Sequence, residues 1–305
     1  MRSAVGIVGL GIMGSAIADH LVRAGYSVAG YDVLARRRRA LRDVGGMPLQ
    51  SCRDVGRHAR NVISSLPSAE ALMATATELS AVMPRAGVVI ETSTLPIDVK
   101  QRARRRLQTR GIVLLDCPIS GTGAQARTRD VVIYASGSRV AYRRVTTVLD
   151  AFVRAHHYVG PFGAGSKMKF VANLLVAIHN VATAEALVLA RKAGLDPADV
   201  VRLVGEGAGS SRILQLRGPM MAKGDYTRPT MTLATWQKDV SIIAEFARRL
   251  GCKTPLFSTT APIYRAAMKM GLASQDTAAV CAVLERMAGI SGPSSRPYSP
   301  PRRSR

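Results

Sequence analysis

At 305 residues the chain has the length for two domains or one large one, and a 47% hydrophobic share fits a globular protein with a sizeable core. Its 43 basic residues against 20 acidic give a formal charge of +23, but the arginines are scattered apart from runs at 36–39, 104–106 and the tail Arg302, Arg303 and Arg305, and five Phe and one Trp offer few stacking platforms. With no nucleic-acid motif beside them, these charges read as a solvated surface or an attraction for small anions, and Cys52, Cys117, Cys252 and Cys281, far apart and without a CxxC pair, argue against a metal site or a disulfide framework.

Residues 4–8 form an apolar run that ends in Gly9-Leu10-Gly11-Ile12-Met13-Gly14, and helical patterning follows over 15–24. A second apolar run, 26–31, ends at Asp32, eighteen residues beyond Gly14. Strand, tight turn, helix, strand and terminal acid make the pattern of a dinucleotide-binding βαβ unit. One glycine permits the turn, one lets the backbone approach a pyrophosphate, and one lets helix pack on strand, with the pyrophosphate on the helix N-terminus. Asp32 suits a ribose 2′-hydroxyl and repels a 2′-phosphate, which favours NAD over NADP. The arginines at 36–39 keep NADP open, since guanidinium groups beyond the acid can bind a phosphate, and they also read as an exposed first turn of the next helix.

Alternation continues with a strand at 61–66, a helix at 69–83, a strand at 88–91, a very basic helix at 97–110 and a strand at 112–115, the pattern of a doubly wound α/β domain. Leu66-Pro67-Ser68 and Thr92-Ser93-Thr94 close two of these strands, at the ends where parallel sheets bind ligands. The loop 116–123, DCPISGTG, offers a hydroxyl and backbone N–H groups that suit a carboxylate or other small anion. Without context it reads as a Gly-rich turn before a strand at 131–135.

At residue 163 the character changes to helix. Residues 163–193, GAGSKMKFVANLLVAIHNVATAEALVLARKA, form a Gly-rich turn running into one long apolar helix, and further helices are expected at 197–205, 241–250, 255–270 and 276–287. Residues 1–162 are thus expected to form one domain and 163–288 a second, all-helical one. Lys169 and Asn173 stand four residues apart, on one helix face, while Lys167 falls on another and is expected to be solvated. Desolvating an ammonium costs several kcal/mol, so a lysine at the mouth of a buried helix points to a proton that chemistry uses. Residues 170–190 are long enough to span a membrane, yet Asn173, His179, Asn180 and Glu185 favour a buried helix. The chain starts directly in strand-like sequence without a targeting run, and cytoplasmic residence is the expectation. Residues 289–305, GISGPSSRPYSPPRRSR, hold few apolar side chains and are expected to be disordered.

Together, GLGIMG at 9–14, Asp32, Leu66-Pro67, Ser93-Thr94, DCPISGTG at 116–123, GAGSKMKFVAN at 163–173 and Lys238-Asp239 resemble the β-hydroxyacid dehydrogenase family, over about residues 4–288. This group includes 3-hydroxyisobutyrate dehydrogenases, tartronate semialdehyde reductases and glyoxylate or succinic semialdehyde reductases. The resemblance implies an α/β Rossmann domain followed by an all-α domain built on a long interdomain helix, as in 6-phosphogluconate dehydrogenase-like folds, with the active site in the cleft. It implies NAD(P)-dependent interconversion of a small β-hydroxy acid and its semialdehyde or keto form, and a homodimer or homotetramer. Lys169 matches the catalytic lysine and Asn173 the amide of the same motif. Ser120, Gly121 and Gly123 match the loop that holds the substrate carboxylate. Gly9, Leu10, Gly11, Ile12, Met13, Gly14, Asp32, Leu66, Pro67, Thr94 and Lys238 match the cofactor positions. In the reducing direction an ammonium stabilises and protonates the carbonyl oxygen; in the oxidising direction a neutral lysine takes the hydroxyl proton, which requires a pKa lowered by burial or neighbouring positive charge.

The chain also departs from the family pattern. Thr122 stands where a second glycine is common, followed by Arg127-Thr128-Arg129-Asp130; Met231 replaces an aromatic residue, with Trp236 nearby; and His20 replaces an asparagine at a position that concerns packing. Two other readings stand beside the main one. Imine reductases share the architecture but usually carry Asp or Tyr in place of the lysine. Dehydrogenase-like modules without the lysine serve in nucleic-acid-associated proteins. Lys169 argues against both.

Overall fold

The strands of the first sheet are short runs of Val, Ile and Leu whose side chains alternate between two faces, and each face carries its own core. Val5, Ile7, Ile63, Val88, Ile90 and Leu115 pack on one side. Val8, Val62, Val89 and Leu114 pack on the other. The computed structural model describes residues 2–290, so nearly all of the stretch expected to be disordered lies outside the described residues. The chain divides into two compact units, the first ending at Phe170 and the second beginning at Val171.

In the first unit β1 (Arg2–Val8), α1 (Ile12–Arg23), β2 (Tyr26–Tyr31), α2 (Ala35–Asp43), β3 (Met47–Pro48), α3 (Cys52–His58), β4 (Asn61–Ser64), α4 (Ala69–Val82), β5 (Val88–Glu91), α5 (Ile97–Gln108) and β6 (Val113–Asp116) alternate along the chain. The strands form one sheet in the order β3-β2-β1-β4-β5-β6, parallel throughout. The order reverses at β1, and the crevice beyond the C-terminal ends of β1 and β4 is where such sheets hold ligands. Ile17 and Leu21 of α1 join the first core. Val55 of α3, Leu72 and Leu79 of α4, and Val99 and Leu107 of α5 join the second. The doubly wound reading therefore holds, while the strand expected at 61–66 stops at Ser64, because Leu66 is drawn off into a turn and Ser68 caps α4.

A second, three-stranded sheet follows, which the sequence reading had reduced to one strand. It contains β7 (Ile119–Ser120), β8 (Val132–Ala135) and β9 (Ala155–Tyr158), with α6 (Gly123–Arg127) and α7 (Arg139–Asp150) in the connections. A bridge between Asp116 and Ser136 couples it to the end of β6. α8 (Ala164–Lys192) starts in the first unit and continues into the second.

The second unit is helical: the rest of α8, then α9 (Pro197–Gly205), α10 (Arg212–Lys223), α11 (Leu233–Arg249), α12 (Pro255–Lys269), a 3-10 turn (Thr277–Ala279) and α13 (Val280–Met287). Ala177, Val181, Ala184 and Leu187 of α8 are buried at helical spacing. By length and composition α8 suffices to cross a membrane, but Asn180 is sealed in the unit's core, donating to Tyr264 Oη at 3.1 Å and to the Thr277 carbonyl at 2.8 Å. α10 escapes a sequence reading because Gly218 and Pro219 interrupt its pattern. Gly218 is there for packing, since a Cβ would lie 2.9 Å from Val201 of α9.

Candidate active site

The three glycines after β1 serve different purposes. A Cβ on Gly9, whose φ is +90°, would lie 2.1 Å from the Ser65 carbonyl oxygen, and one on Gly14 would lie 1.9 Å from that of Gly9. Both are demanded by the protein's own backbone. A Cβ on Gly11 would meet nothing nearer than Arg37 Nη1 at 3.9 Å, so that glycine leaves an open cradle. Gly11 is also the N-cap of α1 and brings no side-chain cap, so the first N–H groups of α1 are available to an anion. A dinucleotide pyrophosphate fits this arrangement.

Asp32 sits at the end of β2, 5% exposed. It accepts from Leu10 N at 2.8 Å and Leu34 N at 2.9 Å, and Arg37 pairs with it at 3.1 Å. Arg38 donates to the Asp32 carbonyl at 2.7 Å, so two of the four arginines at 36–39 hold the strand end and only Arg36 and Arg39 are exposed. Leu10 is buried and Met13 half-buried beneath the turn, whereas Ile12 and Val33 are 58% and 77% exposed, a surface suited to a flat aromatic base. Along the same strand ends Leu66 N donates to Ser93 Oγ at 2.8 Å, which latches the β4 loop to the β5 loop, with Pro67 exposed and Thr94 half-buried beside it.

Beneath these loops lies a group of charges that a sequence reading misses. Lys100 belongs to the basic helix α5, yet it is 0% exposed and its Nζ meets Glu91 Oε2 at 2.7 Å and Asp116 Oδ1 at 2.8 Å, both carboxylates also 0% exposed. It donates further to the Ser93 carbonyl at 2.6 Å. Burial by itself would lower the lysine's pKa, but the charges of Asp116 and then Glu91 outweigh it and hold it raised. The only signal in the sequence was its register: Val99, Ala103 and Leu107 share Lys100's inward side of α5. The neighbouring Cys117 thiol is pushed up by burial first and Asp116 second, so it stays protonated.

The loop 116–123 leaves this network. β7 ends at Ser120, half-buried, and Gly121 follows at φ +142°, where a Cβ would lie 2.6 Å from Val131. Thr122 caps α6: its N–H donates to Gln125 Oε1 at 3.0 Å and its hydroxyl accepts from Gln125 N at 3.4 Å. The departure from a second glycine is thus a capping box that opens α6 at Gly123. His20 of α1 meets the Ala126 carbonyl at 2.8 Å and so ties α1 to α6. On the first turns of α8, Lys167 is exposed and Lys169 only 7% exposed.

In the second unit Asn173 is 3% exposed. Its Nδ2 donates to Asp239 Oδ2 at 3.0 Å, and Lys238 Nζ lies 3.3 Å from Asp239 Oδ1. With its donor end engaged, the amide directs its carbonyl oxygen elsewhere. The segment before α11 is held by Asp276, 0% exposed, which accepts from Thr230 N at 2.7 Å and Met231 N at 3.3 Å and pairs with buried Arg217 at 3.3 Å. Burial alone would raise the Asp276 pKa; Arg217 and the backbone donors outweigh it and hold it below the usual carboxylate value. Trp236, the aromatic residue near Met231, is 2% exposed against Tyr264 and belongs to the core of the unit.

Comparison with known proteins follows the same two units. Residues 4–160 match the family described as the NAD binding domain of 6-phosphogluconate dehydrogenase, and residues 163–284 match the NAD-binding family of NADP-dependent 3-hydroxyisobutyrate dehydrogenase. An L-threonate dehydrogenase of Cupriavidus necator is 31% identical over 284 residues, 92% of this chain and 95% of that protein. The crystal structure of a 3-hydroxyisobutyrate dehydrogenase from Salmonella typhimurium superposes with a TM-score of 0.84 at 29% identity, covering 92% of this chain and all of that one. An imine reductase from a Pseudomonas species is more distant, at 18% identity and a TM-score of 0.61, and shares the fold alone.

Proposed function

The chain belongs to the β-hydroxyacid dehydrogenase family of NAD(P)-dependent oxidoreductases, and on that premise we propose that Lys169 is the general acid/base for interconversion of a small β-hydroxy acid and its carbonyl form. The observation that carries this reading is the burial of Lys169, 7% exposed, at the start of a long apolar helix and four residues before the buried Asn173. A nicotinamide dinucleotide, when bound, supplies or takes up the hydride. Lys169 as an ammonium gives its proton to the oxygen that gains charge on reduction; as a neutral amine it takes the hydroxyl proton on oxidation. Asn173, oriented by Asp239, aligns the reacting hydroxyl. Ser120, Gly121 and Gly123 receive the substrate carboxylate through one hydroxyl and backbone N–H groups.

NAD is the cofactor this reading favours, because Asp32 is already held at the end of β2 by two backbone N–H groups and two of the arginines beyond it are engaged with that strand end. L-Threonate and 3-hydroxyisobutyrate, named for the relatives above, define the substrate class: short chains with a carboxylate and a hydroxyl. The exposed apolar row Val171, Leu175 and Leu189 on α8, 56%, 47% and 71% exposed, suits an interface between copies of the chain. A monomer in light scattering would contradict that.

The deciding experiment follows NAD reduction with L-threonate and 3-hydroxyisobutyrate. Lys169→Ala is expected to lower kcat by about 10²–10⁴ while NADH still binds. Turnover retained with a wild-type pH profile would refute the assignment.

A further inference from the structure

The carboxylate that ends β6 reaches the helix that carries Lys169, with the charged groups beside it fixed behind. Asp116 takes hydrogen bonds from Ser166 N at 2.8 Å and Ser166 Oγ at 2.8 Å, and so serves as the cap of α8 from another element. Its Oδ2 also accepts from Ser136 Oγ at 3.1 Å, and Ser136 Oγ in turn accepts from Gly165 N at 3.0 Å. Two of the N–H groups that a helix start leaves without partners are thereby satisfied by a single carboxylate and its hydroxyl neighbour. Lys100 fixes that carboxylate from behind while spanning to Glu91 and to the Ser93 carbonyl.

The fit leaves no slack. A Cβ on Gly165 would lie 2.2 Å from the Tyr134 carbonyl oxygen and 2.8 Å from that of Asp116, so the first turn of α8 is seated directly on the ends of β6 and β8. Glu91, Lys100 and Asp116 carry one surplus negative charge, placed at the positive end of a 29-residue helix. The same Asp116 opens the loop 116–123. One residue therefore sets the start of the anion-holding loop and the start of the lysine-bearing helix.

We propose that the buried Lys100–Glu91–Asp116 network is a positioning device: through Ser166 it fixes the axial and rotational setting of α8, and hence the place of Lys169, relative to the loop 116–123. This rests on the reading of Lys169 as the acid/base. Ser166 is one turn before Lys169, so a small rotation there moves the lysine amine away from its setting, and misplacement of a reacting group costs rate more than binding. Lys100, Glu91, Asp116 and Ser166 are positioning residues; none is assigned contact with the reacting atoms.

The test compares Asp116→Asn, Ser166→Ala and Lys169→Ala in the full-length protein, using NAD and whichever of L-threonate or 3-hydroxyisobutyrate the wild type oxidises faster. Asp116→Asn and Ser166→Ala are expected to lower kcat by about tenfold or more with the Kd for NADH within about twofold of wild type. Amide hydrogen exchange at residues 165–170 should accelerate, with exchange in β1 and α1 unchanged. A purely structural network would lower the melting temperature while leaving kcat per folded molecule intact, and that result overturns the proposal. Should Asp116→Asn not fold, Ser166→Ala, which deletes one hydroxyl, carries the same comparison. An active Lys169→Ala overturns the acid/base reading beneath the proposal. An inactive Lys169→Ala beside Asp116→Asn and Ser166→Ala with wild-type kcat overturns the positioning role alone.

Discussion

Asn173 and Asp239 face each other in the interior of the helical unit, amide nitrogen to carboxylate oxygen at 3.0 Å, both less than 5% exposed. An asparagine can present either end of its amide, and the two ends do opposite things to a substrate hydroxyl. Asp239 accepts only, so it removes that freedom and leaves the Asn173 oxygen to act as the acceptor. Asp239 thus meets both neighbours, the Asn173 amide through Oδ2 and the Lys238 amine at 3.3 Å from Oδ1.

If so, Asp239→Ala should lower kcat/KM for the hydroxy acid by about tenfold, the equivalent of about 1.4 kcal/mol. Asp239→Asn, which keeps an acceptor oxygen, should recover part of the loss. Steady-state kinetics on the two variants check this, and unchanged kcat/KM in Asp239→Ala would show that the amide needs no partner.

The glycine turn separates folding from binding. Gly11→Ala is expected to melt within about 1 kcal/mol of wild type, since its Cβ has room, while the Kd for NADH rises by about tenfold or more because the methyl group occupies the pyrophosphate cradle. Gly14→Ala places a Cβ 1.9 Å from the Gly9 oxygen and should not give a folded first unit. Circular dichroism and NADH fluorescence distinguish the two, and normal NADH affinity in Gly11→Ala would be the contrary result.

Cofactor preference turns on Asp32. The wild type is expected to favour NADH over NADPH by about tenfold or more in kcat/KM, from repulsion of the 2′-phosphate by a carboxylate. Arg36→Ala and Arg39→Ala, both exposed, should leave NADH kinetics unchanged. A wild type that prefers NADPH would show that the arginines outweigh the acid.

Acid should weaken the helical unit through Asp276. Its carboxyl is held below its ordinary value of 3.8, so between the lowered folded pKa and 3.8 the unfolded chain binds more protons than the folded one. Stability from this group is full above 3.8 and is lost as pH falls through the folded pKa. Asp276→Asn strands Arg217 in the interior and should cost about 3–5 kcal/mol at neutral pH. Thermal melts from pH 7 downward should show the gap between variant and wild type narrowing in acid, and a gap independent of pH would remove the charge from the explanation.

Much of this was readable from the chain alone, and the reason is periodicity and stereochemistry. Short apolar runs of Val, Ile and Leu, the spacing from Gly14 to Asp32, and the four-residue step from Lys169 to Asn173 are local patterns, and local patterns survive without coordinates. The family motif, with helical spacing beside it, singled out Lys169 over Lys167, and the first is buried while the second is exposed. Other features depend on residues far apart in sequence. Lys100 looked like one more cation on a basic helix; only the convergence of β5, β6 and α5 puts two carboxylates within 3 Å of its amine. Asp116 looked like the first letter of a loop motif, and its bond to Ser166, fifty residues on, makes it the cap of α8. Met231 and Trp236 looked like a departure from the family pattern; the structure buries the tryptophan in the core of the second unit and gives the Met231 N–H to Asp276. The sequence determined which chemical groups the protein has and how they repeat along each element. The tertiary structure decided which charges are stripped of water together, since burial and pairing are properties of packed neighbours and not of spacing.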